Sequence, residues 1–317
     1  MKELQNLTSL NAKKLLVVLP VKKVQDMFLN ECAFSLAQQT HPVDVLVLYG
    51  GTEEELPNLQ DILNKPVVTF KEQPNKDEPA VDKRVEADRN LNYVIERTEN
   101  HKFQGIFNEA MNYAEMNGYE FFSVIEPEDV IDINWFAYVA RYAAKKEEID
   151  AFLPITREVA NGAFLGFGNE ACWVDTYAEV AGTYDLQLLM RFNCMNLTGV
   201  VFKTASITPY AEDVNGIKKV MKEDFKLTYS YEFFLRMVYN DKKFFTIPRL
   251  GYEHRIDIPG EIIDPFTSKI PRNISQWPED KGGMTPDEIK YWNEAAKKEY
   301  FIGRHDRPIQ FVKNAVA

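Results

Sequence analysis

A group of carboxylates follows a short apolar run near the middle of the chain. The run Phe121–Ile125 ends in Glu126, Glu128 and Asp129, with Pro127 between the first two acids. An apolar run that stops at charge and proline is typical of a buried strand that opens into a loop. Three acids this close repel one another unless a cation or a basic partner neutralises them. Their types and spacing are compatible with a divalent-metal site for a phosphorylated ligand.

The same loop also has a purely structural interpretation. A helix is expected to begin within Asp132-Ile133-Asn134-Trp135, and an acidic loop in front of it would serve only to cap that helix. Position favours the ligand interpretation, because open α/β sheets bind ligands at the carboxyl ends of their strands. The residues of this stretch alone leave both interpretations open.

Composition excludes several classes of protein. The formal net charge of −11 over 317 residues disfavours nonspecific binding to nucleic acid and to anionic membrane surfaces. Three scattered cysteines are too few for a disulfide framework or a cysteine-rich zinc site, which favours a reducing, cytoplasmic setting. We expect no signal peptide and no membrane span, because the amino terminus lacks an apolar core and no run approaches 18 apolar residues.

Strand and helix patterns alternate through the first part of the chain. Apolar runs stopped by proline or glycine predict strands at Leu15–Leu19, Val43–Leu48 and Val67–Phe70. Helical spacing of apolar residues predicts helices at Val24–Gln39 and Leu59–Leu63 between them. This βαβαβ order favours a parallel, doubly wound sheet. The charged, proline-broken residues 71–90 are expected to form a surface loop.

The remainder continues the α/β pattern and then changes in character. Further strands are predicted at Ile149–Ile155, Thr198–Lys203 and Phe244–Ile247, hairpins and irregular structure at 156–185, and helices at Phe103–Met116, Trp135–Lys146 and Phe225–Tyr239. Gly118 is expected to end the helix that precedes it. Past Arg255 the chain is rich in proline and holds one predicted helix, Pro286–Tyr300. We therefore predict a main domain over residues 1–255 and an extension over 256–317 whose helix packs on it.

With its elements in this order, the chain resembles the inverting family-2 glycosyltransferases of the GT-A fold. Seven stretches carry the resemblance, which covers roughly residues 15–255: Leu16–Val21, Phe28–Thr40, Asp44–Thr52, Phe107–Met111, Phe122–Val130, Asn196–Lys203 and Tyr231–Arg236. It implies a Rossmann-like, mostly parallel sheet flanked by helices, a nucleotide-sugar donor, and a carbohydrate or protein acceptor. It also implies Mn²⁺ or Mg²⁺ on Glu126, Glu128 and Asp129, where the family has its Asp-x-Asp.

Several positions depart from the family pattern. The turn that supplies a nucleobase-binding aspartate holds Tyr49 and Gly50 here. The phosphate-binding arginine at the third helix is replaced by Phe107, which leaves Asn108 to help shape the donor pocket. We therefore assign Tyr49 and Asn108 to the donor side by position. His254 lies where related enzymes place a diphosphate contact; its alternative is an ordinary loop histidine.

The acidic pair that supplies the catalytic base in the family is not found at the expected positions. The family takes it from an acidic pair six and seven residues before the helix arginine, but counting back from Arg236 gives Tyr229 and Ser230. Neither side chain is a plausible base near neutral pH. The nearest acids are Glu223-Asp224 and Glu232, so Asp224 and Glu232 are the candidates for the base.

Other residues have both a functional and an ordinary interpretation. Trp173 and Tyr177 could stack on a sugar or could be core aromatics. The basic residues of Asp82–Arg84 and Arg89 could contact phosphate or form a solvated face.

Two functions follow from the sequence. One is transfer of a sugar from a nucleotide sugar. The other is a catalytically inactive structural or assembly protein that binds protein partners, for example in a viral or phage particle. The lost polar anchors support the second hypothesis, because removing even one preorganised charged group typically costs about 10²–10³ in rate.

Overall fold

The structure is a computed structural model and describes residues 14–72, 81–160, 163–173, 180–185, 189, 195–223 and 229–255. Its strands are β1 Leu15–Val21, β2 Asp44–Tyr49, β3 Val67–Glu72, β4 Val81–Glu86, β5 Asn92–Arg97, β6 Phe121–Val124, β7 Val130–Ile131, β8 Ala151–Ala160, β9 Ala163–Gly168, β10 Val201–Lys203, β11 Glu212–Val214, β12 Ile217–Lys219 and β13 Phe244–Arg255. Its helices are α1 Asp26–Ala37, α2 Leu56–Asn64, α3 Phe103–Met116, α4 Trp135–Ala143, α5 Thr204–Ile207 and α6 Tyr229–Tyr239.

Nine of the described strands form the central sheet. Their order is β5-β2-β1-β6-β10-β8-β13-β7, and β9 pairs with β8. Strands β5, β2, β1 and β6 are parallel neighbours, and β13 is parallel to β8. Strands β10, β7 and β9 each pair antiparallel with their neighbours. The predicted α/β class is confirmed, and the sheet is mixed, since four pairings of its described strands are parallel and four are antiparallel.

Helices cover both faces of this sheet. In β1, Leu15, Val17, Leu19 and Val21 pack in one hydrophobic cluster with α1, α2 and α4, whereas Leu16 and Val18 pack in another with α3 and α6. A strand with helices on both faces has no solvent side, so it is apolar throughout rather than alternating. This is why the apolar runs identified β1, β2 and β6 in the sequence.

The helix before β6 ends as predicted. Gly118 has φ +69°, the Gly118 N–H donates to the Glu115 carbonyl oxygen, and the Tyr119 N–H donates to the Ala114 carbonyl oxygen. These two bonds make a Schellman ending, which glycine favours because it lacks a Cβ. The chain then enters β6 directly, which fixes where the acidic loop begins.

Two predictions about the first half were wrong. Strand β3 is not the third strand of the parallel sheet, because it pairs antiparallel with β4 in a separate hairpin. The proposed loop 71–90 contains β4, which was not predicted as a strand because most of its residues are charged. The parallel edge strand is instead β5, which pairs with β2 from Asp44↔Asn92 to Tyr49↔Arg97. Its alternating polar residues lack the apolar run by which the inner strands were found.

The last strand is longer than predicted. It runs through Phe244–Arg255 beyond Pro248, with register shifts against β8 between Thr246 and Tyr252. The shifts let the strand pass the proline and pair again with β8 and β7. The predicted helix Pro286–Tyr300 and the extension 256–317 lie outside the described residues. Every helix within the described ranges is too short or too polar to span a bilayer.

Candidate active site

The acidic loop lies at the carboxyl edge of the parallel strands. The Ile125 N–H donates to the Val18 carbonyl oxygen at 3.1 Å, which continues the β1–β6 ladder up to Glu126. The Gly50 N–H donates to the Val21 carbonyl oxygen at 2.9 Å, so the ends of β1 and β2 meet beside it. The loop therefore occupies the edge at which α/β sheets bind ligands.

Asp129 is the buried centre of the loop, with no exposed surface. Its Oδ2 accepts hydrogen bonds from the Tyr252 hydroxyl and the His254 ring nitrogen Nδ1, each at 2.8 Å. Its Oδ1 accepts from the Arg255 backbone N–H, also at 2.8 Å. A buried carboxylate needs such donors to replace its lost hydration. Asp129 thereby joins the loop to the end of β13.

Strand pairing brings these residues together. Tyr252 of β13 pairs with Ile131 of β7, so the end of β13 lies against the loop that β7 follows. The Tyr252 ring packs against Gly199, where a Cβ would lie 2.6 Å from the ring. Gly199 also has φ +71°, so both space and backbone conformation require glycine there.

Glu126, Asp129 and His254 form what we call the carboxylate–histidine cluster. One possible ligand atom from each lies within 4.8 Å of the others. The Glu126 backbone N–H donates to the Tyr252 hydroxyl at 3.1 Å, which fixes the loop at its first acid. His254, predicted as a ligand contact from its position, thus lies beside two of the three predicted metal ligands. Glu128 is half-buried in the same loop.

The electrostatic surroundings of the cluster are strongly negative. Burial, and then the charges of Asp129 and Glu126, raise the pKa of the Tyr252 hydroxyl well above its usual range. Burial, and then Asp129 and Glu128, likewise raise the pKa of the Cys32 thiol beneath the loop. Both groups are therefore neutral near pH 7, and a cation would be attracted to this position.

Arg255 provides a counter-charge at the rim of the loop. Its Nη2 lies 2.5 Å from a carboxylate oxygen of Glu31 in α1, and its guanidinium lies 5.3 Å from the centre of the Phe28 ring. The pairing with Glu31 and the stacking on Phe28 hold the side chain against α1. The end of β13 is therefore held by Asp129 through the Arg255 backbone and by α1 through the Arg255 side chain.

Tyr49 is at the end of β2 but is completely buried. Its hydroxyl donates to the Thr52 carbonyl oxygen at 2.6 Å, and the Arg97 guanidinium lies 4.6 Å from the centre of its ring. A Cβ on Gly51 would lie 2.5 Å from the Tyr49 ring. The side chain thus supports the turn from below and offers no surface to a ligand in this structure.

Asn108 is also buried, and its amide is occupied by the protein. Its Oδ1 accepts from the backbone N–H groups of Val220 and Met221, both at 2.9 Å, and its Nδ2 donates to the Met221 carbonyl oxygen at 2.9 Å. Asn112, one turn further along α3, bonds both the N–H and the carbonyl oxygen of Lys218. The two asparagines form what we call the asparagine clamp on residues 218–221.

Of the two base candidates, Asp224 lies outside the described residues. Glu232 is buried in α6, where its two carboxylate oxygens accept from Nε and Nη2 of Arg236 at 2.9 and 3.1 Å. Arg236 Nη2 also donates to the Val220 carbonyl oxygen at 2.6 Å. Glu232 therefore orients an arginine that holds the same segment as the asparagine clamp, and proton transfer by it would require breaking this pair.

The other candidates are separate from the cluster. Trp173 packs edge-to-face on Phe245 and donates to the Thr246 carbonyl oxygen, which fits its interpretation as a core aromatic. Asp82–Arg84 is exposed on β4, and Arg89 donates to the Gln39 carbonyl oxygen. Tyr177 lies outside the described residues. A cleft of about 940 Å³ between α1, α2 and the β3–β4 hairpin contains Glu31 but no member of the cluster.

Several residues at this edge were not predicted from the sequence. Lys22, just after β1, donates its ammonium proton to the His101 carbonyl oxygen, and a Cβ on Gly50 would lie 3.7 Å from the His101 ring. Arg97, at the end of β5, pairs with Glu53 and donates to the Gly51 carbonyl oxygen. Recognising β5 as a parallel strand would have placed Arg97 and His101 at this edge.

Comparisons with known proteins identify the fold. Neither a family model nor a curated protein matches the chain. Solved structures of S. aureus TarS do match. The complex of TarS 1-349 with UDP-GlcNAc has a TM-score of 0.53 and 16% identity over 96% of this chain and 70% of that one. The complex of TarS 1-349 with UDP has a TM-score of 0.51 and 16% identity over 76% of this chain and 60% of that one.

A longer TarS structure matches over 81% of this chain but only 38% of its own, with a TM-score of 0.52 and 16% identity. The chain therefore spans about two fifths of that protein and between three fifths and seven tenths of the 1-349 fragment. The described fold is that of a GT-A-like glycosyltransferase.

Proposed function

We propose that the protein transfers a sugar from a nucleotide sugar to an acceptor, with inversion at the anomeric carbon. The observation that supports this most directly is the carboxylate–histidine cluster, which follows the central strand of a GT-A-like sheet at its ligand-binding edge. S. aureus TarS, whose structure this fold resembles, has been solved in complex with UDP and with UDP-GlcNAc. A nucleoside diphosphate sugar is therefore the class of donor that we propose.

The residues of the cluster fit a divalent cation. Carboxylate oxygens and an imidazole nitrogen suit Mn²⁺, whereas Mg²⁺ prefers oxygen and keeps several waters. Two ligand atoms that each lie about 2.1 Å from one ion are roughly 3 to 4 Å apart. The possible ligand atoms of Glu126, Asp129 and His254 lie within 4.8 Å of one another, so they would have to move only slightly closer to bind one ion. When bound, the ion would neutralise the diphosphate leaving group.

Within the cluster we assign Asp129 a positioning role. Metal-binding histidines usually donate their second ring N–H to a carboxylate, as His254 Nδ1 does here if it carries the proton. In that tautomer the metal-binding lone pair lies on Nε2. Because Asp129 accepts three hydrogen bonds from the protein, we propose Glu126 and His254 as ligands and Asp129 as the group that orients His254. Glu128, which is in the same loop but not in the group within 4.8 Å, is proposed as a further ligand.

Lys22 and His101 complete the donor side of this proposal. They lie beside the Gly50-Gly51 turn at the ends of β1 and β2, and Lys22 is exposed. A flexible ammonium group is a suitable partner for a phosphate oxygen. Tyr49 then contributes by holding the turn in shape, and Asn108 by holding residues 218–221.

Asp224 is the base that we propose. Residues 218–221 are fixed by Asn108 and Asn112 of α3 and by Arg236 of α6, so the chain is anchored three residues before Asp224. A carboxylate that follows an anchored segment closely in sequence could accept the acceptor hydroxyl proton as the new glycosidic bond forms and the bond to the diphosphate breaks.

Calorimetry with UDP and Mn²⁺ tests the proposal. We expect UDP to bind in the presence of Mn²⁺ and at least about tenfold more weakly when EDTA replaces it. Glu126→Gln removes a proposed ligand charge and should weaken Mn²⁺-dependent binding by about 10- to 100-fold. Glu72→Gln, in an exposed ion pair with Lys83, is the control and should bind as the unmodified protein does. Absence of heat from UDP and GDP at high protein concentration would contradict the proposal.

A catalytically inactive assembly protein is the second candidate. The observation that favours it is that the Asp129 carboxylate and the Asn108 amide both form their hydrogen bonds with other groups of the protein. In that case the cluster would join β13 to the loop after β6 and bind no donor. The same titration separates the two candidates, because only the enzyme binds UDP in a Mn²⁺-dependent manner.

A further inference from the structure

The hairpin of β8 and β9 carries two exposed aromatic rings. Phe164 and Phe167 are 51% and 47% exposed, and their ring centres are 4.9 Å apart. Single exposed apolar residues are ordinary, but two large rings in contact form a continuous patch. We call Phe164, Phe167 and the flanking pair Arg157–Glu253 the aromatic platform.

A β-bulge puts the two rings on one face. Residues three apart on a regular strand point to opposite faces of the sheet. Here the register passes from Glu158↔Gly166 to Val159↔Phe164, so Leu165 is an extra residue. Phe167 pairs with Arg157 and Phe164 with Val159, two residues apart on β8, and both rings therefore share a face. Bulges commonly re-aim side chains beside active sites.

Charged groups border the rings. Arg157 Nη1 lies 3.1 Å from Glu253 Oε2, and the Arg157 guanidinium lies 6.0 Å from the centre of the Phe164 ring. Arg157 and Glu253 remain partly exposed, at 43% and 29% of their side-chain surface. The pair thus offers hydrogen-bond donors and acceptors next to an apolar face.

The platform lies beside the candidate active site. Glu253 precedes His254 in β13, and the rows Glu253–Arg157–Phe167 and His254–Glu158–Gly166 are neighbours in the sheet. Because neighbouring strands lie about 4.8 Å apart, the backbone of Phe167 is roughly 10 Å from that of Glu253. Because successive side chains of a strand point to opposite faces, the platform and the His254 side chain lie on opposite faces of the sheet, and an acceptor on the platform would have to fold over the edge of the sheet to reach the cluster.

We infer that the aromatic platform binds a carbohydrate acceptor, an inference that rests on the proposed glycosyltransferase function. The C–H faces of a sugar ring carry slight positive charge and are attracted to the negative face of an aromatic ring. The sugar hydroxyls can bond to the Arg157–Glu253 pair. The aromatic face of Phe167 and the polar groups of Arg157 and Glu253 lie in one row of the sheet, so a surface for stacking and groups for hydrogen bonding are next to each other.

The size of the platform favours a sugar over a protein partner. A whole phenylalanine side chain offers roughly 200 Å², so two half-exposed rings offer about 200 Å² together. A stable protein interface buries about 800 Å² on each partner. The platform is therefore the size of one or two sugar rings.

Saturation-transfer NMR with cellohexaose, chitohexaose and maltohexaose tests this inference on the full chain. We expect at least one of the three to bind, and Phe164→Ala with Phe167→Ala to weaken binding at least tenfold. Phe70→Ala is the matched control, since Phe70 is 46% exposed on β3 with Lys83 5.9 Å from its ring centre. If the double alanine variant does not fold, Phe164→Leu with Phe167→Leu keeps the apolar surface and removes the aromatic faces.

UDP titration of the same proteins separates the two proposals. If UDP binds but no oligosaccharide does, or if the double variant binds oligosaccharide normally, the inference that the platform binds an acceptor is wrong and the proposed function stands. If neither UDP nor any oligosaccharide binds, both are overturned. If light scattering shows that the protein self-associates through these rings and no sugar binds, the platform is a protein interface and the inference is wrong.

Discussion

Asp129 shows how the protein itself can occupy the hydrogen-bonding positions of a predicted ligand. Its sequence context, between acids at the end of a strand, is the same for a metal ligand and for a group that orients one. Only the fold shows the partners of Asp129, because it brings Tyr252, His254 and the Arg255 N–H to the two carboxylate oxygens. Each of these three donors is more than 120 residues away in sequence.

Another single residue, Tyr119, is predicted to make a contribution to stability that depends on pH. Its hydroxyl donates to Asp44 Oδ2 at 3.0 Å, and burial together with this carboxylate raises its pKa from 10.0 to about 12. The folded protein therefore holds the proton after the unfolded chain has lost it. The resulting stability is complete below pH 10 and disappears as the pH rises to 12.

We expect Tyr119→Phe to lose less stability than the unmodified protein between pH 10 and 12. Urea unfolding at pH 8, 10 and 11 measures this, and the difference between the two proteins isolates Tyr119 from the other tyrosines. Tyr239→Phe, at a ring that is 75% exposed, is the control. Equal alkaline slopes for the unmodified protein and Tyr119→Phe would show that the Asp44 contact does not hold the proton.

At the scale of elements, the asparagine clamp joins α3 to the segment after β12. Asn108→Ala removes three hydrogen bonds of 2.9 Å to the buried backbone of Val220 and Met221. Each orphaned buried group costs about 1–3 kcal/mol, so we expect a loss of roughly 2 to 4 kcal/mol after relaxation. Hydrogen exchange at the Val220 and Met221 amides should accelerate with it.

Asn117→Ala is the matched control for the clamp. Its Nδ2 donates to the Tyr113 carbonyl oxygen four residues earlier, on the exposed end of the same helix, so we expect a change within about 0.5 kcal/mol. If Asn108→Ala unfolds at the same urea concentration as the unmodified protein, with unchanged exchange at Val220, residues 218–221 do not depend on the clamp.

The elements also show what the sequence could predict. Buried strands with helices on both faces, such as β1 and β6, are apolar throughout and were found almost to the residue. The β3–β4 hairpin and β5 were missed because exposed or edge strands need no apolar run. Glu126 and His254 were selected by position and lie together, whereas Lys22 and His101 were missed because their proximity depends on the unrecognised β5.

Asn108 marks a further limit of prediction from sequence. A polar residue at the start of a helix facing a nucleotide site has the same sequence pattern as one that binds a neighbouring strand. The partner of Asn108 is main chain more than 110 residues away, and backbone groups leave no mark in a sequence. Residue type and order can therefore predict that a site exists at this edge more readily than what each side chain does there.

At the scale of the whole molecule, we predict that the main domain does not depend on residues 261–317. Both hydrophobic clusters draw their described members from Leu15 to Tyr252, and β13, the last described strand, lies inside the sheet between β8 and β7. Arg255 is held by its backbone N–H on Asp129 and by its side chain on Glu31. These contacts are complete before the extension begins.

A chain ending at residue 260 should therefore unfold in one cooperative thermal transition. We expect its midpoint within about 4 °C of that of the full chain, which corresponds to roughly 1 kcal/mol for a domain of this size. Differential scanning calorimetry of both chains measures the difference, and a chain ending at residue 250, which removes Tyr252, His254 and Arg255, is the destabilised control. That control should lose cooperativity, because Asp129 would keep a buried charge without its three donors. A midpoint more than about 10 °C lower for the chain ending at residue 260 would show that the extension covers part of the core, and the boundary at residue 255 would then be wrong.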